Sequence, residues 1–156
     1  MSTTTNTTLT PYLACRNASE AAEFYQKAFG AQLLSMTRMP NGPVLHAALS
    51  IDGAQFFLVD EMPEHGALSP QALGNSPVVL HLHVPDCDAV FQRAVKAGCQ
   101  VHTPLQDMFW GDRYGAIVDP YGHKWSIATT IRQVSPEEIQ QALSNMAGRM
   151  CSGSEG

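Results

Sequence analysis

An α+β fold made of two βαβββ units is what this sequence predicts, and three features predict it. A helix cap, a helix of about three turns and a glycine stop occur twice, starting at Asn17 and at Asp86, 69 positions apart. Short runs rich in β-branched and aromatic residues flank both helices in the same order. The last two runs lie in Met108–Ala128, MFWGDRYGAIVDPYGHKWSIA, and are joined by Asp119-Pro120-Tyr121-Gly122. Pro at the second position and Gly at the fourth suit a type I turn. One βαβββ unit cannot bury both faces of its sheet. Two packed side by side can curl into an incomplete barrel, with helices outside and a cavity inside.

The elements follow in order. Residues 1–8 read as a flexible arm. Leu9 to Cys15 is a short strand that Pro11 confines to an edge near its start. Asn17 or Ser19 caps a helix with Ala21, Ala22, Tyr25 and Phe29 on one face, and Gly30 stops it. Gln32–Met39, Val44–Ile51 and Ala54–Val59 are three strands, the last two joined by the two-residue turn Asp52-Gly53. This first half spans 9–60. Residues 61–77 are rich in Pro, Gly, Ser and Asn and form a connector. In the second half, 78–132, Val78–Val84 is a strand and Asp86 caps a helix ended by Gly98. Cys99–Thr103 is a strand before a loop at Pro104, and the hairpin about Asp119–Gly122 completes the unit. Over 133–149, Ser135, Pro136 and Glu138 make a capping box for a last helix. Its stripe Ile139, Leu143 and Met146 would dock on the body or on a partner chain. Residues 150–156 read as a disordered tail.

Composition narrows the function. The net charge is −5 without a basic run, so nucleic acid is not expected as a partner. No apolar segment approaches the ~20 residues that span a bilayer. The N-terminus lacks the features of a secretory signal. Cys15, Cys87, Cys99 and Cys151 have no C-x-x-C spacing and read as free thiols in a reducing cytoplasm.

The duplicated unit, the FYxxxFGA segment after the first cap and the string FWGDRYGAIVDPYGHKWSIA together resemble the vicinal oxygen chelate superfamily. That group includes glyoxalase I, extradiol dioxygenases and bleomycin-resistance proteins, and the chain is most similar to its PhnB-like branch. The resemblance covers about Leu9 to Arg132. It implies the paired βαβββ fold, a homodimer or a pseudo-dimer within one chain, and, in the metalloenzyme members, a divalent metal held by His and Glu from four strands. Counting from the helices and from the turn, those four positions fall on Thr10, Phe57 or Leu58, Val79 and Ser126. None is a strong ligand, and a two-residue slip would add only His81. No metal or other cofactor is therefore expected, and glyoxalase I or extradiol dioxygenase chemistry is disfavoured.

The expected function is binding of a small organic ligand in an aromatic-lined cavity. Trp110, Arg113 and Tyr114 are the main binding candidates. An Arg fork recognises carboxylate or phosphate and Trp stacks on planar molecules. The alternative for Arg113 is a pair with Asp107 or Asp112 that fixes the loop. Tyr12, Phe57 and Ser126 would line the interior. His81 and His83 share a strand face, and with His46 they form the catalytic alternative, an acid–base site for a lyase, isomerase or dioxygenase. Asp60 and Glu61 sit at the expected cavity mouth. His123, beside Gly122, reads as structural, and Cys15 as a buried thiol.

Overall fold

The computed structural model describes residues 6–152. In chain order the elements are β1 (Tyr12–Cys15), α1 (Ala18–Phe29), β2 (Gln32–Arg38), β3 (Val44–Ile51), β4 (Ala54–Asp60), a one-turn α2 (Pro70–Leu73), β5 (Val79–His83), α3 (Cys87–Ala97), β6 (Gln100–Asp107), β7 (Asp112–Val118), β8 (Lys124–Thr130) and α4 (Pro136–Ser152). They build two four-stranded sheets of the same topology, β1-β4-β3-β2 and β5-β8-β7-β6. The first strand of each sheet pairs parallel with the last, and the remaining pairs are antiparallel. This is the α+β, glyoxalase-like arrangement of two βαβββ units. Among the described residues the sheets do not join into a closed barrel.

The helix signals act as the sequence implies. The Asn17 side chain accepts from the Glu20 N–H at 3.1 Å, and Asp86 accepts from the Ala89 N–H at 3.2 Å. Each satisfies a donor that helical hydrogen bonding leaves free. Gly30 closes α1 in the left-handed region, at φ 67°. Alternation along β1 buries Leu13 and Cys15 and turns Tyr12 the other way. Leu13, Leu49, Phe56 and Leu58 thus pack beneath Ala21, Ala22, Tyr25 and Phe29 of α1 in a common core. The helices α1 and α3 also pack on each other.

Several boundaries differ from expectation. β1 begins at Tyr12, because Pro11 has no N–H and enters the sheet only through its carbonyl, which accepts from Phe57 N–H at 2.8 Å. The expected loop at Pro104 is part of β6. The pairing with β7 slips between Thr103 and Gln106, so the missing Pro N–H falls in a bulge on an edge strand. The connector contains α2, capped by Ser69, whose hydroxyl accepts from Ala72 N–H. The helix α4 begins at the expected capping box and extends backbone helix to Ser152. The remainder of the expected tail, 153–156, and positions 1–5 of the arm lie outside the described residues. Leu143 and Met146 of its stripe are exposed rather than docked on the body.

One buried carboxylate fastens the two halves. Asp119, at the start of the β7–β8 turn, accepts from the Tyr121 and His123 backbone N–H groups at 2.9 and 3.0 Å. Its other oxygen accepts from Trp125 Nε1 at 2.9 Å and from the Tyr25 hydroxyl of α1. Burial, reinforced by the Asp119 charge, pushes the Tyr25 hydroxyl well above its ordinary pKa, so it stays a proton donor. His123 Nε2 donates to the Ala14 carbonyl at 2.9 Å, a second tie from the turn to the first half.

Candidate functional site

The face of each sheet opposite the helices is uncovered within the chain. Tyr12 and Val79 are each 51% exposed, and His81 and His83 are exposed beside them. On the second sheet this open face gathers most of the candidate residues. His81 lies directly across from Ser126 in the β5–β8 ladder, with its Nδ1 2.7 Å from the Ser126 hydroxyl. Its ring stacks with Tyr114, centroids 6.3 Å apart and planes 19° from parallel. Trp110 meets Tyr114 edge-on at 5.8 Å.

A polar chain borders this aromatic row. Trp110 Nε1 donates to one oxygen of Asp112 at 3.1 Å, and the Thr130 hydroxyl donates to the other at 3.0 Å. With its single proton directed to the carboxylate, Thr130 Oγ1 accepts from His83 Nε2 at 2.8 Å. The proton of neutral His83 therefore sits on Nε2, leaving Nδ1 as an open acceptor. From sequence, Asp112 stands in the crowded run with Trp110, Arg113 and Tyr114 and as a possible partner for Arg113, not as the acceptor for Trp110 and Thr130. Its position at the first residue of β7, opposite Thr130, is what reaches Trp110 and Thr130 at once.

Arg113 does not join this group. As the neighbour of Tyr114 on a strand it points to the other face. There it makes a fork with Asp88 of α3 at 3.0–3.2 Å and reaches Asp107 at 3.1 Å. Of the expected partners Asp107 is used, Asp112 is not, and Asp88 was missed because α3 lies far away in sequence. The Arg113 hydrogen bonds hold the Asp88 carboxyl below its ordinary value of 3.8. A depressed carboxyl pKa contributes stability above the unfolded value and loses it as pH falls through the folded one. In urea titrations stepped downward through about pH 4, wild type should therefore lose stability more steeply than Asp88→Asn. Equal slopes would show that the fork does nothing for stability.

The remaining candidates lie on the first sheet. Tyr12, His46 and Phe57 form a triangle of edge-on rings, with centroids 4.5–5.5 Å apart. They are not brought together with Trp110, so the expected lining residues divide between two sheet faces. Asp60 is a structural acid rather than a free one at a cavity mouth. Its two oxygens accept from the Ala18 and Val44 N–H groups, each at 2.7 Å, tying the starts of α1 and β3. Glu61 accepts from Ser69 at 2.8 Å and lies 3.6 Å from Arg16. A cavity of about 490 Å³ lies under the connector. Apolar side chains dominate it, and its one imidazole, His123, is engaged by Ala14. Cys15 lies 3.9 Å from that same imidazole, but burial pushes its thiol far up, which removes the thiolate a nucleophile needs. Burial likewise pushes Cys99 up to about 12.

The four metal positions counted from the sequence are not in cross-strand register, since Phe57 faces Tyr12 and Ser126 faces His81, each two residues beyond Thr10 and Val79. Thr10, Phe57 or Leu58, Val79 and Ser126 offer at most two hydroxyls, and the cross-strand partner of Ser126 adds one imidazole, His81. Among the described residues no three His, Cys, Asp or Glu converge where an ion could be held. The donor set does not fit a hard or borderline divalent ion.

Comparison with known proteins agrees with this architecture. A profile of the glyoxalase/bleomycin resistance protein/dioxygenase superfamily matches residues 6–127. The chain belongs to that superfamily. Rv0887c of Mycobacterium tuberculosis is 45% identical over 140 residues, covering 88% of this chain and 82% of that protein. Among solved structures, TioX from Micromonospora sp. ML1 superposes with a TM-score of 0.63 at 24% identity, covering 83% of this chain and 100% of that one. A PhnB protein from Bacillus cereus gives 0.61 at 21% identity, covering 79% and 99%. At these identities the two structures establish the shared fold. Among the described residues no helix is long and apolar enough to cross a membrane.

Proposed function

We propose that this member of the superfamily binds a small organic molecule on the open face of its second sheet, without the metal quartet of the metalloenzyme members. The row Trp110–Tyr114–His81 carries the reading. Three π-systems lie in sequence on one exposed face, two of them nearly parallel, as a planar ligand requires for stacking. Ser126, His83 and Asp112 supply polar contacts at its edge. The uncovered faces of both sheets favour a homodimer in which a second copy closes each recess, and the free buried thiols suit the reducing cytoplasm.

A second reading, acid–base catalysis at this face, is favoured by the Asp112–Thr130–His83 chain. A carboxylate and hydroxyl that fix one imidazole nitrogen leave the other free to take a proton. In that case a bound ligand would be turned over.

A thermal-shift screen of metabolites and drugs tests the binding. A ligand at about 100 times its Kd stabilises the fold by ~2.7 kcal/mol. Trp110→Ala should reduce that shift at least tenfold in apparent affinity while leaving the unliganded melting temperature nearly unchanged. A broad screen with flat melting curves would count against binding. About one equivalent of transition metal per chain, in protein purified without a His-tag, would overturn the metal-free reading.

A further inference from the structure

We infer that the cavity under the connector is a separate binding site for a neutral aliphatic molecule whose hydroxyl donates to Nδ1 of His123. The site is roofed by the connector and lies apart from the Trp110–Tyr114–His81 row. It stands or falls independently of binding there.

His123 is engaged through one ring nitrogen only. Its Nε2 lies 2.9 Å from the Ala14 carbonyl, which can only accept, so Nε2 carries the proton of the neutral ring. The lone pair is then on Nδ1. That atom has no protein partner among the described residues, although His123 is only 8% exposed. It is not sealed in either. Among the described residues every fully enclosed side-chain nitrogen or oxygen has a hydrogen-bond partner. Nδ1 is therefore reached from the 490 Å³ cavity, whose wall includes His123. A cavity of that size is within the usual range for small-molecule sites.

The connector holds its roof in place. The Ser69 hydroxyl, at the start of α2, donates to Glu61 at 2.8 Å, and Gln71 Nε2 donates to the Pro120 carbonyl at 3.2 Å. Gly122 lets α2 sit close to the turn, since a Cβ there would lie 2.8 Å from Pro70 Cβ. The wall then selects the ligand. Leu68, Leu73, Val78 and Leu80 line it, and the first three are exposed. An alkyl chain laid along them removes apolar surface from water. The lining contains no Lys, Arg, Asp or Glu, so an ion buried there would go unpaired, which favours a neutral molecule. Nδ1 accepts and does not donate, so the polar end must bring a proton. An aliphatic alcohol meets each of these conditions.

Long-range ¹H–¹⁵N spectra of the labelled full chain, above the pH at which its histidines titrate, test the site with hexanol as the probe. Before addition, His123 should carry its proton on Nε2. Hexanol should move the His123 Nδ1 resonance saturably, and hexyl methyl ether, with the same chain and no donor, should bind at least tenfold more weakly. His123→Gln keeps a side-chain N–H for Ala14 and should lose the preference for alcohol over ether in calorimetry. The wild-type comparison does not depend on that variant folding. Trp110→Ala should keep the response, whatever it does to the second sheet. An Nδ1–H tautomer in the wild type would overturn the proposal. So would equal responses to alcohol and ether, no saturable response, or loss of the response in Trp110→Ala. A response that fades as the protein is concentrated would also overturn it, by giving the cavity to a second copy of the chain.

Discussion

Asp119→Ala is expected to lower the stability of this protein by at least about 3 kcal/mol, since each buried donor stripped of its acceptor costs about 1–3 kcal/mol. Four donors converge on that carboxylate: two backbone N–H groups, the Trp125 indole and the Tyr25 hydroxyl. Alanine supplies no acceptor, and the site is too enclosed for the donors to turn to solvent, with Asp119 4% and Tyr25 0% exposed. For a domain of this size the melting temperature should fall by roughly 6–12 °C. Asp119→Asn keeps one carbonyl oxygen and places an NH₂ against the remaining donors, so its loss should be smaller but substantial. Because the carboxylate holds the turn of the second half to α1 of the first, both halves should melt together at the lower temperature. Urea denaturation followed by tryptophan fluorescence and by circular dichroism measures this. A change below about 1 kcal/mol, the ordinary effect of a point mutation, would show that the four hydrogen bonds do not hold the halves together.

The role of Asp119 also marks how far the sequence was legible. Helix caps, glycine stops and strand runs are local signals, and they placed both βαβββ units, whereas the parallel pairing of each unit's first and last strands has no local signal. A type I turn at Asp119–Gly122 was visible, whereas the buried destination of the Asp119 side chain was not. Its partner Tyr25 lies in the other half, and a turn aspartate usually faces water. Arg113 illustrates the same limit. The run Trp110, Asp112, Arg113, Tyr114 looked like one constellation, yet strand alternation divides it, sending Tyr114 to the open face and Arg113 to α3. Alternation could have indicated that division, since it follows from the period of two. The choice of Asp88 as partner could not, because it depends on the packing of α3. Pro104 reads as a loop from sequence, and the bulge on an edge strand that tolerates its missing ladder donor has no local signature.

Trp125→Ala is the second substitution with a large expected effect, and it separates the two tryptophans by role. Trp125 leaves the second half on β8 and inserts its ring among first-half aromatics, with Phe29, Tyr25 and Phe56 at 4.7, 5.6 and 5.7 Å. Its truncation opens a cavity where the halves meet and frees one hydrogen bond of Asp119, at a cost of about 3–5 kcal/mol. The next residue, Ser126, faces the opposite side of the sheet beside His81, so the recess should survive in the molecules that remain folded. Trp125→Ala should therefore lower the melting temperature sharply while changing ligand affinity by less than about threefold, or less than 1 kcal/mol. Trp110→Ala should do the reverse. Because Trp125 and Asp119 share a hydrogen bond, the double variant should lose less than the sum of the single losses. Additive losses would mean that the indole stabilises the junction by packing alone and that Asp119 acts without it. Loss of ligand affinity in Trp125→Ala at a temperature where it remains folded would place the binding face at the junction of the halves instead of on the open second sheet.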